Sequence, residues 1–250
     1  MLRSLLLTVA VGLASASMTA GQSVDQLLAN YVKTIGGAEK LASIKTMRTV
    51  GTFHGGGGFE AVVLQESKRP NSVREEFSLQ GMSQINAYDG KQGWKVNPFE
   101  GKKDAEAMGE EELKSIVEDS DFDGPLVDYK AKGNKIEYLG KEDYEGSDVY
   151  KLKVTLANGT VKTYFLDADY YLPIKIETKQ TIRGTEIETE TVLGDYKESG
   201  GVYFAHSFES GRKGSANKSS ITIEKVEINP ALDDSRFSMP KAGPNPRVGQ

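Results

Sequence analysis

The chain has 250 residues, of which 38% are hydrophobic and 27% charged, and this composition is typical of a folded protein with a sizeable core. Its 31 basic residues are outnumbered by 36 acidic ones, and the net charge of −5 excludes a protein built to bind nucleic acid or an anionic membrane through charge alone. The sequence contains no cysteine, which excludes disulfides, thiol catalysis, cysteine metal sites and an acylated cysteine on this chain.

The first 20 residues have the pattern of a secretory signal peptide. Arg3 supplies a short positive region, Leu5 to Leu13 form an apolar run, and Ala16 and Ala20 are both suitable cleavage positions. A membrane anchor is the alternative, but the run is shorter than the ~20 apolar residues that span a bilayer. We therefore expect residues 1–20 to be removed and the protein to be exported to a periplasm, the compartment that best suits a secreted chain without disulfides.

An amphipathic helix is predicted directly after this segment. Ser23 can cap the helix, Gln26 can complete a capping box, and the pair Gly36-Gly37 predicts its end. A shorter helix is predicted over Ala38 to Ile44. The apolar stripe of the first helix, with residues three and four positions apart, consists of Val24, Leu27, Leu28, Tyr31, Val32 and Ile35.

From Met47 onward the apolar residues alternate with polar ones, which indicates strands. Asp89-Gly90 and Asn158-Gly159 are typical hairpin turns. Asp104 to Asp119 interrupts the alternation with apolar residues at helical spacing, and we predict a helix lying on the sheet there. The predicted strands are Met47 to Phe53, Phe59 to Leu64, Val73 to Leu79, Met82 to Tyr88, Trp94 to Val96, Tyr150 to Leu156, Thr160 to Asp167, Leu172 to Ile176, Thr185 to Leu193, Val202 to Phe208 and Ile221 to Ile228.

About ten half-apolar strands with few helices predict a mainly β protein with covering helices, an α+β fold built on a single antiparallel sheet. A sheet this wide curves strongly, and the helices are expected to cover its concave side. The apolar positions change parity between Ile223 and Val226, which predicts a β-bulge near Lys225. Because no linker divides the chain, residues 21–240 are predicted to form one domain and residues 241–250 a disordered tail.

The sequence offers no recognisable catalytic or metal-binding constellation. His54 and His206 are the only histidines, and neither has neighbours at metal-ligand spacing. Gly55 to Gly58 lacks the Gly-Lys-Ser/Thr of a phosphate-binding loop and is interpreted as a hairpin tip. Glu110 to Glu112 is interpreted as the solvated start of a helix. We therefore predict no catalytic residue, no metal and no cofactor, and we expect that the protein is not an enzyme.

Large apolar side chains concentrate in the first half of the chain. One interpretation is that they form core beneath the helices. The other is that they line a cavity that the helices do not fill, since large rings and flexible methionines suit an adaptable apolar pocket. The second interpretation predicts a ligand cavity lined by Phe53, Phe59, Val63, Phe77, Met82, Ile85, Trp94, Phe99 and Tyr129.

Seven stretches that together run over nearly the whole mature chain resemble the LolA-like superfamily of periplasmic lipoprotein-sorting and lipid-binding proteins, and in particular its broad, uncharacterised branch. The resemblance implies an incomplete, strongly curved antiparallel β-barrel closed by helices over a hydrophobic cavity. Members of this group carry acylated lipoproteins, bind other lipids or serve as sensory domains, and no catalytic residue is implied. The stretches are Tyr31 to Leu41, Ile44 to Gly51, Tyr88 to Phe99, Gly140 to Val154, Phe165 to Ile174, Asp195 to His206 and Ile228 to Pro240.

The sequence and the resemblance together predict an exported carrier that binds lipid or lipoprotein acyl chains and transfers them across the periplasm toward the outer membrane. The alternative is a periplasmic sensor or interaction domain that regulates a membrane partner, and an enzyme that uses scattered carboxylates is a third hypothesis. The expected partners are lipid or lipoprotein acyl chains and inner- or outer-membrane proteins, without nucleic acid. The protein is expected to be a monomer.

Overall fold

The computed structural model describes residues 22–182 and 184–240, so the predicted signal peptide, residues 1–20, and the predicted tail, residues 241–250, lie outside the described residues. The α-helices of this part of the chain are α1 (Val24–Thr34), α2 (Ala38–Ser43) and α3 (Glu110–Asp119). The strands are β1 (Thr46–His54), β2 (Glu60–Lys68), β3 (Ser72–Leu79), β4 (Met82–Tyr88), β5 (Gly93–Asn97), β6 (Lys102–Ala107), β7 (Lys135–Tyr144), β8 (Ser147–Thr155), β9 (Val161–Asp167), β10 (Pro173–Ile182), β11 (Thr185–Gly194), β12 (Lys197–Ser199), β13 (Val202–Phe204), β14 (Ser207–Arg212) and β15 (Lys218–Ile228).

Thirteen of these strands form one antiparallel sheet, which confirms the predicted mainly β fold class with covering helices. The sheet has the order β6-β5-β4-β3-β2-β1-β15-β14-β11-β10-β9-β8-β7, and the two remaining strands, β12 and β13, pair with each other. The first and last strands, β1 and β15, therefore lie side by side within the sheet. Over the described ranges the edge strands β6 and β7 do not pair, so the sheet is an open half-barrel.

Helix α1 forms where its capping residues and apolar stripe predict it. The Gln26 backbone N–H donates to Ser23 Oγ (3.2 Å) and the Ser23 N–H donates to Gln26 Oε1 (3.0 Å), so the predicted capping box is confirmed. The chain leaves the helix at Gly36. Its φ of 125° and its close approach to the carbonyl oxygen of Gly201 leave no room for a Cβ atom.

The apolar stripe of α1 packs on one half of the sheet, over β8 and β9. Leu27 and Leu28 are buried there together with Leu152, Tyr164 and Leu166. Fully burying a leucine side chain contributes about 1.5–3 kcal/mol, so these contacts hold the helix on the sheet. This half of the half-barrel is filled with ordinary hydrophobic core.

Helix α3 begins later than the sequence pattern predicts. The prediction of helix from Asp104 was wrong, because residues 102–107 continue as the edge strand β6 and pair with β5. The helix begins where Gly109 can adopt an extended N-cap conformation and its N–H donates to Glu112 Oε2 (3.1 Å). The acidic first turn of the helix also suits the positive end of the helix dipole.

Helix α3 joins the two halves of the open sheet. Ile116 is buried against Val73 of β3 on one side. On the other side Glu118 accepts a hydrogen bond from Thr160 Oγ1 (2.6 Å) and forms an ion pair with Lys162 of β9 (3.0 Å). We call the face of the sheet that carries α1 and α3 the inner face, and the opposite face the outer face.

The pairing of β1 with β15 contains the bulge that the parity change predicts. Val50 pairs with Lys225 and Gly51 pairs with Ile223, so Glu224 is the extra residue of β15, and the predicted bulge near Lys225 is confirmed. The insertion returns Val226 to the same face as Ile223. All apolar residues of β15 therefore lie on the inner face despite their change of parity.

Two further strand predictions needed correction. The predicted single strand Val202 to Phe208 was wrong, because the chain leaves the small ribbon after β13 and enters the main sheet only at β14. At the break, the His206 N–H donates to the carbonyl oxygen of Gly194 (3.1 Å). Strand β7 was not predicted, because its apolar alternation is interrupted by an irregularity between Tyr138 and Gly140.

The segment after β15, residues 229–240, crosses the outer face of β1–β5. Phe237 is buried there, and the indole Nε1 of Trp94 donates to its carbonyl oxygen (2.6 Å). Beneath the segment Glu66 is 0% exposed and accepts hydrogen bonds from Arg48 and Arg236. The outer face is thus closed by the chain itself in this region.

Candidate functional site

An open groove lies on the half of the inner face that α1 does not fill. It is formed by β1–β4, β14 and β15 and has a volume of about 400 Å³. Its size is within the range of small-molecule binding sites. The inner-face residues that line it are Thr49, Val63, Gln65, Glu75, Phe77, Gln84, Asn86, Phe208, Ile221 and Ile223.

The apolar part of the groove is assembled from strands that are far apart in sequence. Val63 and Phe77 are cross-strand partners on β2 and β3. Phe208 and Ile221 are cross-strand partners on β14 and β15, and Ile221 in turn pairs with Phe53 of β1. Because β1 and β15 lie side by side, the two apolar sets form one surface.

Aromatic rings continue this surface to the rim at one end of the half-barrel. The rings of Phe53 and Phe77 lie edge to face with their centroids 5.4 Å apart, and Phe59 and Phe99 lie 5.6 Å from Phe53 and 6.2 Å from Phe77 respectively. Phe59, Met82 and Phe99 are 44%, 42% and 40% exposed. These three side chains are therefore surface-exposed rather than part of the buried core.

The opposite part of the groove is polar. Glu75 and Asn86 are cross-strand partners, and together with Gln84 they also line a second cavity of about 290 Å³ between α3 and β3–β5. This second cavity is also lined by Asn97 and by Asp119 at the end of α3. The apolar groove and the polar cavity are therefore adjacent and share their boundary residues.

Two carboxylates of the polar cavity have raised pKa values. Burial, together with the charge of Asp119, raises the pKa of Glu75 to about 7. Burial also raises the pKa of Asp119 to about 6; Lys162 acts against the rise, and the charge of Glu118 adds to it. The cavity therefore changes its charge within the neutral pH range.

Six of the nine residues predicted to line a cavity lie at this groove or its rim: Phe53, Phe59, Val63, Phe77, Met82 and Phe99. The other three lie elsewhere. Ile85 and Trp94 are on the outer face, because they pair with Glu76 and Ala87, which have the opposite parity to the groove residues. Tyr129 packs against the α1 core and its hydroxyl donates to Asp25 (3.0 Å).

The prediction did not include the second half of the groove. Phe208, Ile221 and Ile223 come from strands more than 100 residues after the first aromatic cluster, and only the pairing of β1 with β15 brings them together. Their strand alternation is visible in the sequence, but their neighbours are not. The polar residues Gln65 and Gln84 carry no sequence signal at all, because isolated glutamines in strands are common.

Neither histidine belongs to a metal site in the part of the chain that the structure describes. Over residues 22–182 and 184–240, no group of three or more His, Asp or Glu residues could hold a metal ion. His54 lies near Glu60 (3.1 Å), and His206 Nδ1 donates to the carbonyl oxygen of Ile223 (2.8 Å), an acceptor that requires the proton to be on Nδ1.

No helix within residues 22–182 and 184–240 is long and apolar enough to cross a bilayer.

The fold defines the class of protein to which the chain is similar. A DUF1329 family protein from Desulfovibrio piger matches 86% of this chain and 97% of its own with a TM-score of 0.61 at 12% identity. A LolA superfamily protein from Nitrosomonas europaea matches 87% and 98% with a TM-score of 0.58 at 12% identity. A Vibrio parahaemolyticus protein described as an outer membrane lipoprotein-sorting domain matches 86% and 97% with a TM-score of 0.57 at 12% identity.

The chain thus has the LolA-like fold, and the resemblance seen in the sequence is confirmed at the level of fold. No protein-family model matches the sequence. No curated protein matches it either. None of the three similar structures is described as an enzyme.

Proposed function

We propose that the protein is an exported carrier that binds lipid or lipoprotein acyl chains in the groove and transfers them across the periplasm toward the outer membrane. The observation that carries this proposal is the division of the inner face. Helix α1 fills the half over β8 and β9, whereas an apolar groove of about 400 Å³ with an exposed aromatic rim remains open over β1–β4, β14 and β15. The fold common to this chain and a LolA superfamily protein supports it.

The chemistry of the groove suits a hydrocarbon chain. Its apolar side chains come from four different strands and form one continuous surface. Each buried methylene contributes about 0.8 kcal/mol, so a fourteen-carbon chain would gain on the order of 10 kcal/mol before the entropy of binding is subtracted. Such a gain is sufficient for a carrier that must hold its cargo in water and release it to a membrane.

The exposed rim supports loading and release. Phe59, Met82 and Phe99 lie in or beside the turns that connect β1 to β2, β3 to β4 and β5 to β6, at one end of the half-barrel. These turns lie at the same end because the strands are antiparallel and consecutive. An acyl chain that leaves a membrane or a partner protein would meet these side chains before it reaches Phe77.

The location and the partners follow from this proposal. The signal-peptide pattern of residues 1–20 supports export, and the cysteine-free sequence supports a carrier that is not itself acylated. Inner- or outer-membrane proteins are the proposed donor and acceptor of the cargo, and the carrier acts as a monomer. Its function needs neither a cofactor nor catalytic residues.

Two substitutions on strand β2 test the proposal. Val63→Trp places a large ring in the groove, whereas Val62→Trp places the same ring on the outer face one residue away, where Val62 is 52% exposed. Both variants and the parent are purified from periplasm. Bound lipid is identified by mass spectrometry, and binding of an uncharged fluorescent acyl probe is titrated.

We expect lipid on the parent and on the Val62→Trp protein, and its loss with at least tenfold weaker probe binding in the Val63→Trp protein. Circular dichroism and thermal unfolding check that both variants are folded. A parent protein that carries no lipid and binds no acyl probe contradicts the proposal. Equal binding by a folded Val63→Trp protein contradicts the assignment of the groove.

A further inference from the structure

The polar cavity beside the groove is lined by carboxylates, which accept hydrogen bonds, and by the side-chain amides of Gln84, Asn86 and Asn97, which can both donate and accept. Within the described part of the chain, the largely buried carboxylate of Glu75 has no hydrogen-bond partner, and Asn97 Oδ1 is buried without a partner. Buried polar atoms in folded proteins are almost always satisfied by protein, water or ligand. The boundary between Phe77 and its cross-strand partner Gln84 is where the surface changes from apolar to polar.

The single cation of this cavity is already engaged. Lys95 Nζ donates to Glu112 Oε1 (2.5 Å) and lies 3.5 Å from Glu106 Oε1. Around it the cavity is lined by four carboxylates, those of Glu75, Glu100, Glu112 and Asp119, against this one ammonium. An anionic group that entered would therefore meet a net negative surface with no free cation from the residues that line it.

We propose that this cavity, bounded by Glu75, Gln84, Asn86, Asn97 and Asp119, is a head-group subsite for an amphiphile whose head donates hydrogen bonds and carries no negative charge. This inference rests on the proposed function, because it assigns the polar end of the same ligand whose chain lies in the apolar groove. Hydroxyl, amide N–H and ammonium groups are the head groups that share this chemistry. Alkyl phosphates and other anionic heads are selected against.

The preference for a donor head group over an anionic one has two physical causes. A donor head can hydrogen-bond to the carboxylates of Glu75 and Asp119, and a hydrogen bond to a charged acceptor is stronger than one between neutral groups. An anionic head would lose its own hydration and face the carboxylates of Glu75 and Asp119. The alkyl chain of a ligand contributes equally whether its head is a donor or an anion. A difference in affinity between ligands with the same alkyl chain therefore reports on the head-group subsite.

The test uses the intact mature protein and three single-chain amphiphiles with the same alkyl chain: a monoacylglycerol, an alkylamine and an alkyl phosphate. Each displaces an uncharged fluorescent acyl probe at pH 8, below the critical micelle concentration. We expect the monoacylglycerol and the alkylamine to bind roughly tenfold or more tightly than the alkyl phosphate. Comparing the two donors distinguishes a neutral from a cationic head.

Two isosteric variants and one control complete the test. Glu75→Gln removes a negative charge of the subsite and is expected to reduce the preference for the alkylamine over the alkyl phosphate at least threefold. Asp119→Asn is expected to act in the same direction. Glu137→Gln, on an exposed ion pair of edge strand β7 far from the groove, is expected to leave all three affinities unchanged.

The outcomes separate this inference from the proposed function. If all three amphiphiles bind equally and Val63→Trp weakens all three, the acyl-chain groove is supported and the head-group subsite is refuted. Tighter binding of the alkyl phosphate than of the other two also refutes it. If no amphiphile binds the parent protein, both proposals fail together.

Discussion

Glu75 of β3 and Asp119 at the C-terminal end of α3 line the same cavity, and the charge of Asp119 adds to the burial that raises the pKa of Glu75 to about 7. The cation of that cavity, Lys95, is paired with Glu112 and Glu106 instead. Neither carboxylate therefore has a free counter-ion among the residues that line the cavity. Their ionisation costs free energy in the folded state, and this cost leads to a prediction on stability.

The stability of the protein is predicted to fall as the pH rises from 4.5 to about 7. In the unfolded chain the pKa of Glu75 has its ordinary value of 4.5, and in the folded protein its pKa is about 7. The folded state thus binds the extra proton between these values, and the stabilisation from that proton is lost as the pH passes through 7. Asp119, with a pKa raised from 3.8 to about 6, acts in the same direction over a lower range.

Glu75→Gln is the direct test of this pH dependence. The variant is expected to be more stable than the parent at pH 8, by at most about 3 kcal/mol, and to differ little from it at pH 4.5. The measurement is urea unfolding at both pH values. Glu137→Gln serves as the control and should change stability equally at the two pH values. A Glu75→Gln protein less stable than the parent at pH 8 would show that ionised Glu75 is stabilised by contacts in the cavity.

The buried carboxylate of Glu66 on the outer face leads to a second prediction on stability. It is 0% exposed and accepts hydrogen bonds from Arg48 of β1 and Arg236 of the C-terminal segment. Its removal leaves two guanidinium groups without their buried partner, so Glu66→Ala is expected to lower the free energy of unfolding by about 3 kcal/mol. The measurement is again urea unfolding.

Glu227 provides the matched control for this variant. It pairs with Arg48 at 3.0 Å but is partly exposed, and Glu227→Ala is expected to lower the stability much less than Glu66→Ala. Because Glu66 lies on the face opposite the groove, Glu66→Ala should leave acyl-probe affinity unchanged in protein that remains folded. Equal costs for the two variants would contradict the buried role of Glu66.

The sequence was informative where a local signal has a local structural cause. The capping box at Ser23, the bulge near Lys225 and the hairpin at Asn158-Gly159 all depend on neighbouring residues, and the structure has each of them. The edge strand β6 was missed because charged residues on an exposed edge resemble a solvated helix. Strand β7 was missed because its alternation is broken at Gly140.

The composition of the groove depended on pairings that the sequence does not display. The aromatic cluster in the first half of the chain was visible in the sequence. Which face of the sheet each side chain lies on depends on whether its position in the strand is odd or even, and the sequence does not show which of these two faces is the inner one. Trp94 and Ile85 therefore entered the predicted site although they lie on the outer face. Phe208 and Ile221 were not included, because their place beside Phe53 depends on β15 pairing with β1 across the whole length of the domain.

The position of Trp94 gives a direct test of which face binds acyl chains. Trp94 is the only tryptophan, it is buried, and its indole N–H is bonded to the carbonyl oxygen of Phe237 beneath the C-terminal segment. Brominated acyl chains quench tryptophan fluorescence only near contact. We expect them to leave the emission of the parent protein nearly unchanged.

A reporter in the groove should respond in the opposite way. Trp94→Phe combined with Phe77→Trp moves the only indole from the outer face to the inner face, next to Val63. The brominated chain is expected to quench this reporter strongly and saturably, and an excess of the same amphiphile without bromine should restore its emission. The loss of the Trp94 hydrogen bond costs about 1–3 kcal/mol, so folding is checked first by circular dichroism. Strong quenching of Trp94 in the parent, with none at the Phe77 position, would place the acyl chain on the outer face, because quenching depends on contact and the two indoles lie on opposite sides of the sheet.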